Sequence, residues 1–173
     1  MKGYGRKRQF LVCSRNVVFD KPDKNCYYDT NVYLEMAEKY HMEDVMSEMM
    51  NVIPNLKFLT IQGETYGGNI QKRNYGDEHK LAIFNVIFGY ENGEIKRLNP
   101  IEMVEFLDTW NLPGVPVVDE HFKIPTTCEE LLEIATSTSK IDGGMREGIV
   151  IRSYDAKQSF KAVSNSYLIK YHG

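Results

Sequence analysis

The chain has 173 residues, 42% hydrophobic and 26% charged, with a formal net charge of −3. That composition fits one soluble globular domain with a real core, and it excludes a global basic field of the kind that coats nucleic acid nonspecifically, though not a local basic groove. Cys13, Cys26 and Cys128 are scattered and lack CxxC spacing, so they read as reduced thiols of a cytoplasmic protein; no apolar run is long enough to span a bilayer, and no membrane partner is expected.

In chain order, the opening Met1-Lys2-Gly3-Tyr4-Gly5 enters a strand almost at once, which suggests a start inside a longer protein. Gln9–Asn16 reads as a strand and Phe19–Asn25 as a loop. Asp29–Met50 carries helical spacing (Val32, Tyr33, Met36, Ala37, Tyr40, then Met42, Val45, Met46, Met49) with a break near His41. Leu56–Tyr66 and the apolar Lys80–Tyr90 read as strands, with a turn at Gly93 leading into Glu94–Leu98. Asn99-Pro100-Ile101-Glu102 starts a helix to about Trp110, with Asn as cap, Pro at the first position and Glu three beyond the cap. Gly114–Val118 is expected as a short strand, Thr127 as the cap of a helix to about Ala135, and 136–146 as a polar loop. Three strands are expected to close the chain: Gly148–Arg152, Ser159–Val163 and Tyr167–Tyr171. Strands with irregularly inserted helices predict an α+β fold with mostly antiparallel sheets.

The chemistry concentrates near the C-terminus. Glu147 precedes Gly148-Ile149-Val150-Ile151-Arg152, which places a carboxylate at the mouth of a stiff strand, and Lys161 follows on the next one. A carboxylate suits Mg²⁺ bridged to phosphate, and a lysine supplies a point charge for phosphate. Phe84 in its apolar strand can stack on a purine. Glu64, where a strand meets glycines, can accept from ribose hydroxyls, and Arg15 can fork onto phosphate. Each residue alone has an ordinary account as well: an exposed turn glutamate, an outward lysine, a core phenylalanine, a surface arginine.

Their order is more specific. Ser14-Arg15-Asn16, then Ile61-Gln62-Gly63-Glu64 with Tyr66-Gly67-Gly68 and Ile70-Gln71, then Phe84, then EGIVIR, then Ser159-Phe160-Lys161 through Lys170, resembles the motif series of the covalent nucleotidyltransferases: DNA ligases, RNA ligases and mRNA capping enzymes. The resemblance spans about residues 9–171 and is closest to the RNA ligase branch. It implies an ATP-grasp-like nucleotidyltransferase domain over residues 1–173, truncated at its N-terminus. It further implies ATP-dependent joining of 5′-phosphate and 3′-hydroxyl RNA ends, nicked duplexes included, through lysyl-AMP and RNA-adenylate. On that resemblance Phe84 stacks on adenine, Glu64 binds ribose, and Arg15 contacts the nucleotide or the RNA end. Glu147 serves Mg²⁺ or Mn²⁺, Lys161 holds the α-phosphate, and Arg152 is a lesser nucleotide contact. The alternatives are a DNA ligase or capping enzyme, or a noncatalytic nucleotide- or RNA-binding module.

Two positions depart from the family pattern. Asn85 stands where an acidic residue is usual, and Lys161 is single where Lys-x-Lys is common. The nucleophile motif Lys-x-Asp-Gly occurs once, as Lys140-Ile141-Asp142-Gly143, but after the other motifs rather than before them. Lys2-Gly3-Tyr4-Gly5 has the order but lacks the Asp and lies too close to Arg15. The expectation is therefore that neither lysine is the nucleophile and that the chain alone is inactive in self-adenylylation.

Overall fold

A computed structural model describes residues 8–19, 31–68, 70 and 75–172. Lys2, Cys26, Gln71 and the loop expected at 20–25 lie outside the described residues.

The first strand is much shorter than predicted. Only Val12–Cys13 (β1) pairs, with Val18–Phe19 (β2), and Arg15 and Asn16 form the turn between them. The helical stretch splits as its spacing suggests, into Val32–Lys39 (α1) and Met42–Val52 (α2). His41 makes the break with a left-handed φ of 48°, a conformation that stops the hydrogen-bond ladder at a cost of ~1–2 kcal/mol for a non-glycine. Asn31 caps α1 by accepting from the Tyr33 and Leu34 amides.

Leu56–Tyr66 (β3) and Lys80–Tyr90 (β4) are long antiparallel partners, and Ile95–Arg97 (β5) adds a third strand beside β4. Pro100–Thr109 (α3) follows, with the full capping box between Asn99 and Glu102. Glu102 also binds Lys96 at 2.7 Å, and this hydrogen bond, ahead of the Asn99 amide, holds its carboxyl below the usual range. Helices α2 and α3 cover one face of the sheet. Met42, Met49, Leu56, Ile83, Val86, Phe88, Met103 and Leu107 form the buried centre of this larger core.

Gly114–Val118 is not a strand. Its backbone meets β4 only at Ile83, through a parallel bridge at Gly114; Pro113 and Pro116 on either side lack the amides a longer ladder needs. Cys128–Ala135 (α4) is capped by Thr127. Gly148–Arg152 (β6) and Ser159–Val163 (β7) form a second antiparallel sheet, and Ala135, Ile149 and Ala162 build a small core between it and α4.

The expected last strand is a helix, Asn165–His172 (α5). Ser164 starts it, its Oγ accepting from the Tyr167 amide at 3.3 Å and its carbonyl from Leu168 at 3.0 Å. Tyr167 and Tyr171 share a side in either a strand or a helix, so their spacing does not separate the two. Ile169 does: a strand would bury it with Tyr167, yet it is 76% exposed.

Gly148 has a steric reason. A Cβ there would lie 2.1 Å from the Ala162 carbonyl oxygen, so only glycine lets β6 approach β7 directly after Glu147. Gly148→Ala is expected to cost about 1–3 kcal/mol by overpacking, seen as a lower denaturant midpoint at unchanged m-value.

Candidate nucleotide site

A bulge in the long hairpin decides where the candidate aromatic goes. Gln62 pairs with Asn85 and Gly63 with Ile83, so Phe84 is an extra residue on β4 with no partner on β3. Bulges re-aim side chains and free backbone groups. Both happen here. Ile83 and Val86 stay in the larger core, while Phe84, half-buried, belongs to neither apolar cluster among the described residues. Its carbonyl accepts a hydrogen bond from Arg152 of β6.

The face of β3 and β4 turned away from the core is polar. Asn85 Nδ2 donates to Gln62 Oε1 at 2.6 Å, which fixes both side chains on that face. Two residues along, Glu64 lies on the same face, exposed and opposite Ala82. Asn85 is 5% exposed, and its Oδ1 has no hydrogen-bond partner among the described residues. An orphaned buried amide oxygen costs about 1–3 kcal/mol, which fits a surface shaped to receive a polar group. Arg97 of β5, opposite Ile87, joins the same face.

The second sheet supplies the other side. Ile149 and Ala162 point to its core, so Val150, Arg152 and Lys161 occupy the opposite face, with Val150 directly across from Lys161. Val150 is 57% exposed, unusual for a β-branched residue in mid-strand. Arg152 reaches from this face to β4, its guanidinium carbon 5.9 Å from the centre of the Phe84 ring. That is the outer limit of a cation–π contact, so the carbonyl hydrogen bond is the stronger tie. Burial pulls the Arg152 guanidinium below its ordinary value, and Arg97 nearby adds repulsion in the same direction; it stays charged. Two arginines thus stand close together, a setting that favours an anion.

Lys161 donates to Glu147 Oε1, with 47% of the lysine and 32% of the glutamate side chain exposed. An ion pair this open is held weakly and can be exchanged for ligand contacts at small cost. Among the described residues no three His, Cys, Asp or Glu side chains gather. A lone carboxylate such as that of Glu147 could hold an Mg²⁺-like ion only together with oxygens from phosphates and water.

The structure brings together Phe84 with Arg152 and Glu147 with Lys161, and puts Glu64 on the Phe84 side. It does not join Arg15 to them: Arg15 sits exposed at the β1–β2 turn with no hydrogen bond or ion pair to these residues. Lys170 lies on α5, not on a strand, with its ammonium 5.1 Å from the Tyr171 ring. Lys140 is exposed in the 136–146 loop, donating to the carbonyls of Val117 at 2.6 Å and Val118 at 3.4 Å. Asp142 turns back onto the Gly144 amide at 3.0 Å, an ordinary Asx turn. Arg97 and Val150 were not singled out by the sequence; strand alternation from Arg152 was the available signal for Val150, whereas Arg97 depends on the register between β4 and β5. A hollow of about 510 Å³ elsewhere, lined by Pro54, Asn55, Tyr90, Glu91, Asn92 and Glu94, has two carboxylates and no cation, a poor seat for a polyphosphate.

The three-stranded sheet and the β6–β7 sheet, linked through Arg152 and flanked by inserted helices, frame the candidate site. The RNA ligase family signature matches residues 3–172, and the chain belongs to that family. Among solved structures it is similar to Naegleria gruberi RNA ligase. The match to a mutant with ATP and Mn has 24% identity and a TM-score of 0.70, covering 94% of this chain and 48% of that one. Another mutant with AMP and Mn matches at 23% identity and TM-score 0.70, with the same coverage. The ligase with PPi matches at 24% identity and TM-score 0.66, again over 94% and 48%. The chain thus spans about half the length of these structures. A search of curated protein sequences finds no match. Among the described residues no helix is long and apolar enough to cross a membrane.

Proposed function

We propose that this chain is the nucleotide-binding part of an ATP-dependent RNA ligase that joins 5′-phosphate and 3′-hydroxyl RNA ends. The observation that carries the reading is the link between the two polar faces: Arg152 on the Phe84 carbonyl, with Lys161 and Glu147 on the Arg152 side. A purine on the Phe84 ring would direct its ribose to Glu64 and its phosphates to the cations of the second sheet. The solved relatives with ATP, AMP, PPi and Mn support a nucleotide and a divalent ion here.

The chemistry follows from charge. A lysine attacks the α-phosphate and pyrophosphate leaves; AMP passes to the RNA 5′-phosphate; the 3′-hydroxyl attacks and AMP departs. Negative charge grows on the α-phosphate oxygens in the first two steps and on the RNA 5′-phosphate oxygens in the third, and a fixed ammonium beside them lowers the barrier. Lys161 takes that role when phosphate replaces Glu147 as its partner. Glu147 would hold a divalent metal, which when bound would supply further charge neutralisation. Arg152 holds the nucleotide's aromatic seat in place, and Arg15 would have to approach with the RNA end.

Lys140 is not the nucleophile in this reading, since its ammonium is engaged on carbonyls of the 117–118 segment and its loop is a plain turn. The chain alone is therefore expected to take up no label from α-³²P-ATP with Mn²⁺ or Mg²⁺, judged on a denaturing gel. A labelled band abolished by Lys140→Ala would sink this assignment.

A further inference from the structure

Beside the candidate site lies a second hollow of about 130 Å³, lined by Tyr75, Asp142, Met145, Tyr167, Lys170 and Tyr171 among others. Tyr167 is 2% exposed and backs the ring of Tyr171, their centres 4.6 Å apart. Tyr171 is 46% exposed, with the Lys170 ammonium 5.1 Å from its ring centre. Across the hollow, Tyr75 meets Tyr66 edge to face at 6.0 Å. Aromatic rings interleaved with a cation are what sequence-tolerant binding of single-stranded nucleic acid requires: a face for the base and a charge for its phosphate. The Asp142 carboxylate can accept from an exocyclic base amine.

Its position is as telling as its composition. Tyr66, which supports Tyr75, is two residues beyond Glu64 on β3. Met145, on the far wall, is two residues before Glu147. The hollow therefore adjoins both halves of the candidate nucleotide site, where an RNA end must come to react.

We infer that the hollow between Tyr75 and Tyr171 seats the base of a terminal RNA nucleotide, with Lys170 on its phosphate. The inference rests on the reading of the chain as an RNA ligase but concerns residues that reading does not use.

The test is fluorescence anisotropy of the whole chain with a labelled, 5′-phosphorylated single-stranded RNA oligomer, alongside an ATP titration. Loss of one stacked base predicts that Tyr171→Ala weakens RNA binding roughly 5- to 150-fold, while Tyr171→Phe keeps it and ATP affinity is unchanged in both. Tyr75→Ala, on a different element, is expected to weaken RNA in the same way, which guards against a local folding defect at α5. RNA affinity within about twofold of the parent in both alanine variants would overturn the inference, as would a parent chain that binds ATP but no RNA. Failure of the parent to bind ATP would instead strike the nucleotide-site reading, a separate result.

Discussion

Arg152→Ala is expected to lower both the thermal stability of the chain and its affinity for ATP. Arg152 is the one described side chain that hydrogen-bonds from β6 to β4, and it meets the carbonyl of Phe84, the residue the register leaves without a β3 partner. Removing a hydrogen bond from a charged donor costs about 1.5–3 kcal/mol, and each kcal/mol shifts the melting temperature by roughly 2–4 °C in a chain of this size. The affinity loss follows because Phe84 would no longer be held at its bulge. Arg152→Lys is expected to recover less than half of either effect: it keeps the charge but loses the planar group that both bonds the carbonyl and lies toward the ring. Differential scanning calorimetry and an ATP titration on the three proteins measure this. A melting temperature within about 1 °C of the parent, with unchanged ATP affinity, would show that the sheets are joined by something else.

The second large effect is at Lys161. Lys161→Ala is expected to slow AMP transfer by about 10²–10³, the usual loss when one fixed donor to a developing oxyanion is removed, and Lys161→Arg to restore part of it as a displaced positive charge. Glu147→Gln should be comparably slow. Because the two residues form one ion pair in the unliganded chain, the double variant should be far from additive. The measurement, on the proposed reading, is single-turnover transfer of labelled AMP by the ligase of which this chain is proposed to be the nucleotide-binding part. Rates within a factor of about 3 of the parent for Lys161→Ala would remove it from the chemistry.

Much of the frame was legible. The bounds of β3 and β4 came from apolar and β-branched runs closed by glycine turns, α3 from its complete capping box, and α4 from Thr127. The failures share a cause: local pattern cannot see partners distant in sequence. Tyr167–Tyr171 looks strand-like by composition, and its helix is set by the Ser164 cap and the burial of Tyr167 alone. Gly114 pairs with Ile83 for one residue only because two prolines flank it. At the site, the motif order singled out Phe84, Glu147 and Lys161 as candidates. It could not show that Phe84 leaves the core, since that depends on the register between Gln62 and Asn85. Nor could it show the weight of Arg152, taken as a lesser contact, whose importance lies in a carbonyl 68 residues away. Arg97 was hidden for the same reason: only the pairing of β5 with Ile87 puts it on the site face.

The most direct test of the proposed site is a calorimetric titration of this chain with ATP and Mn²⁺. The account predicts one ATP per chain, with binding weakened at least about tenfold by Phe84→Ala through loss of base stacking and unaffected by Glu91→Gln in the acidic hollow. ATP binding that survives Phe84→Ala unchanged, or that depends on Glu91, would contradict a nucleotide held between the polar faces of the two sheets.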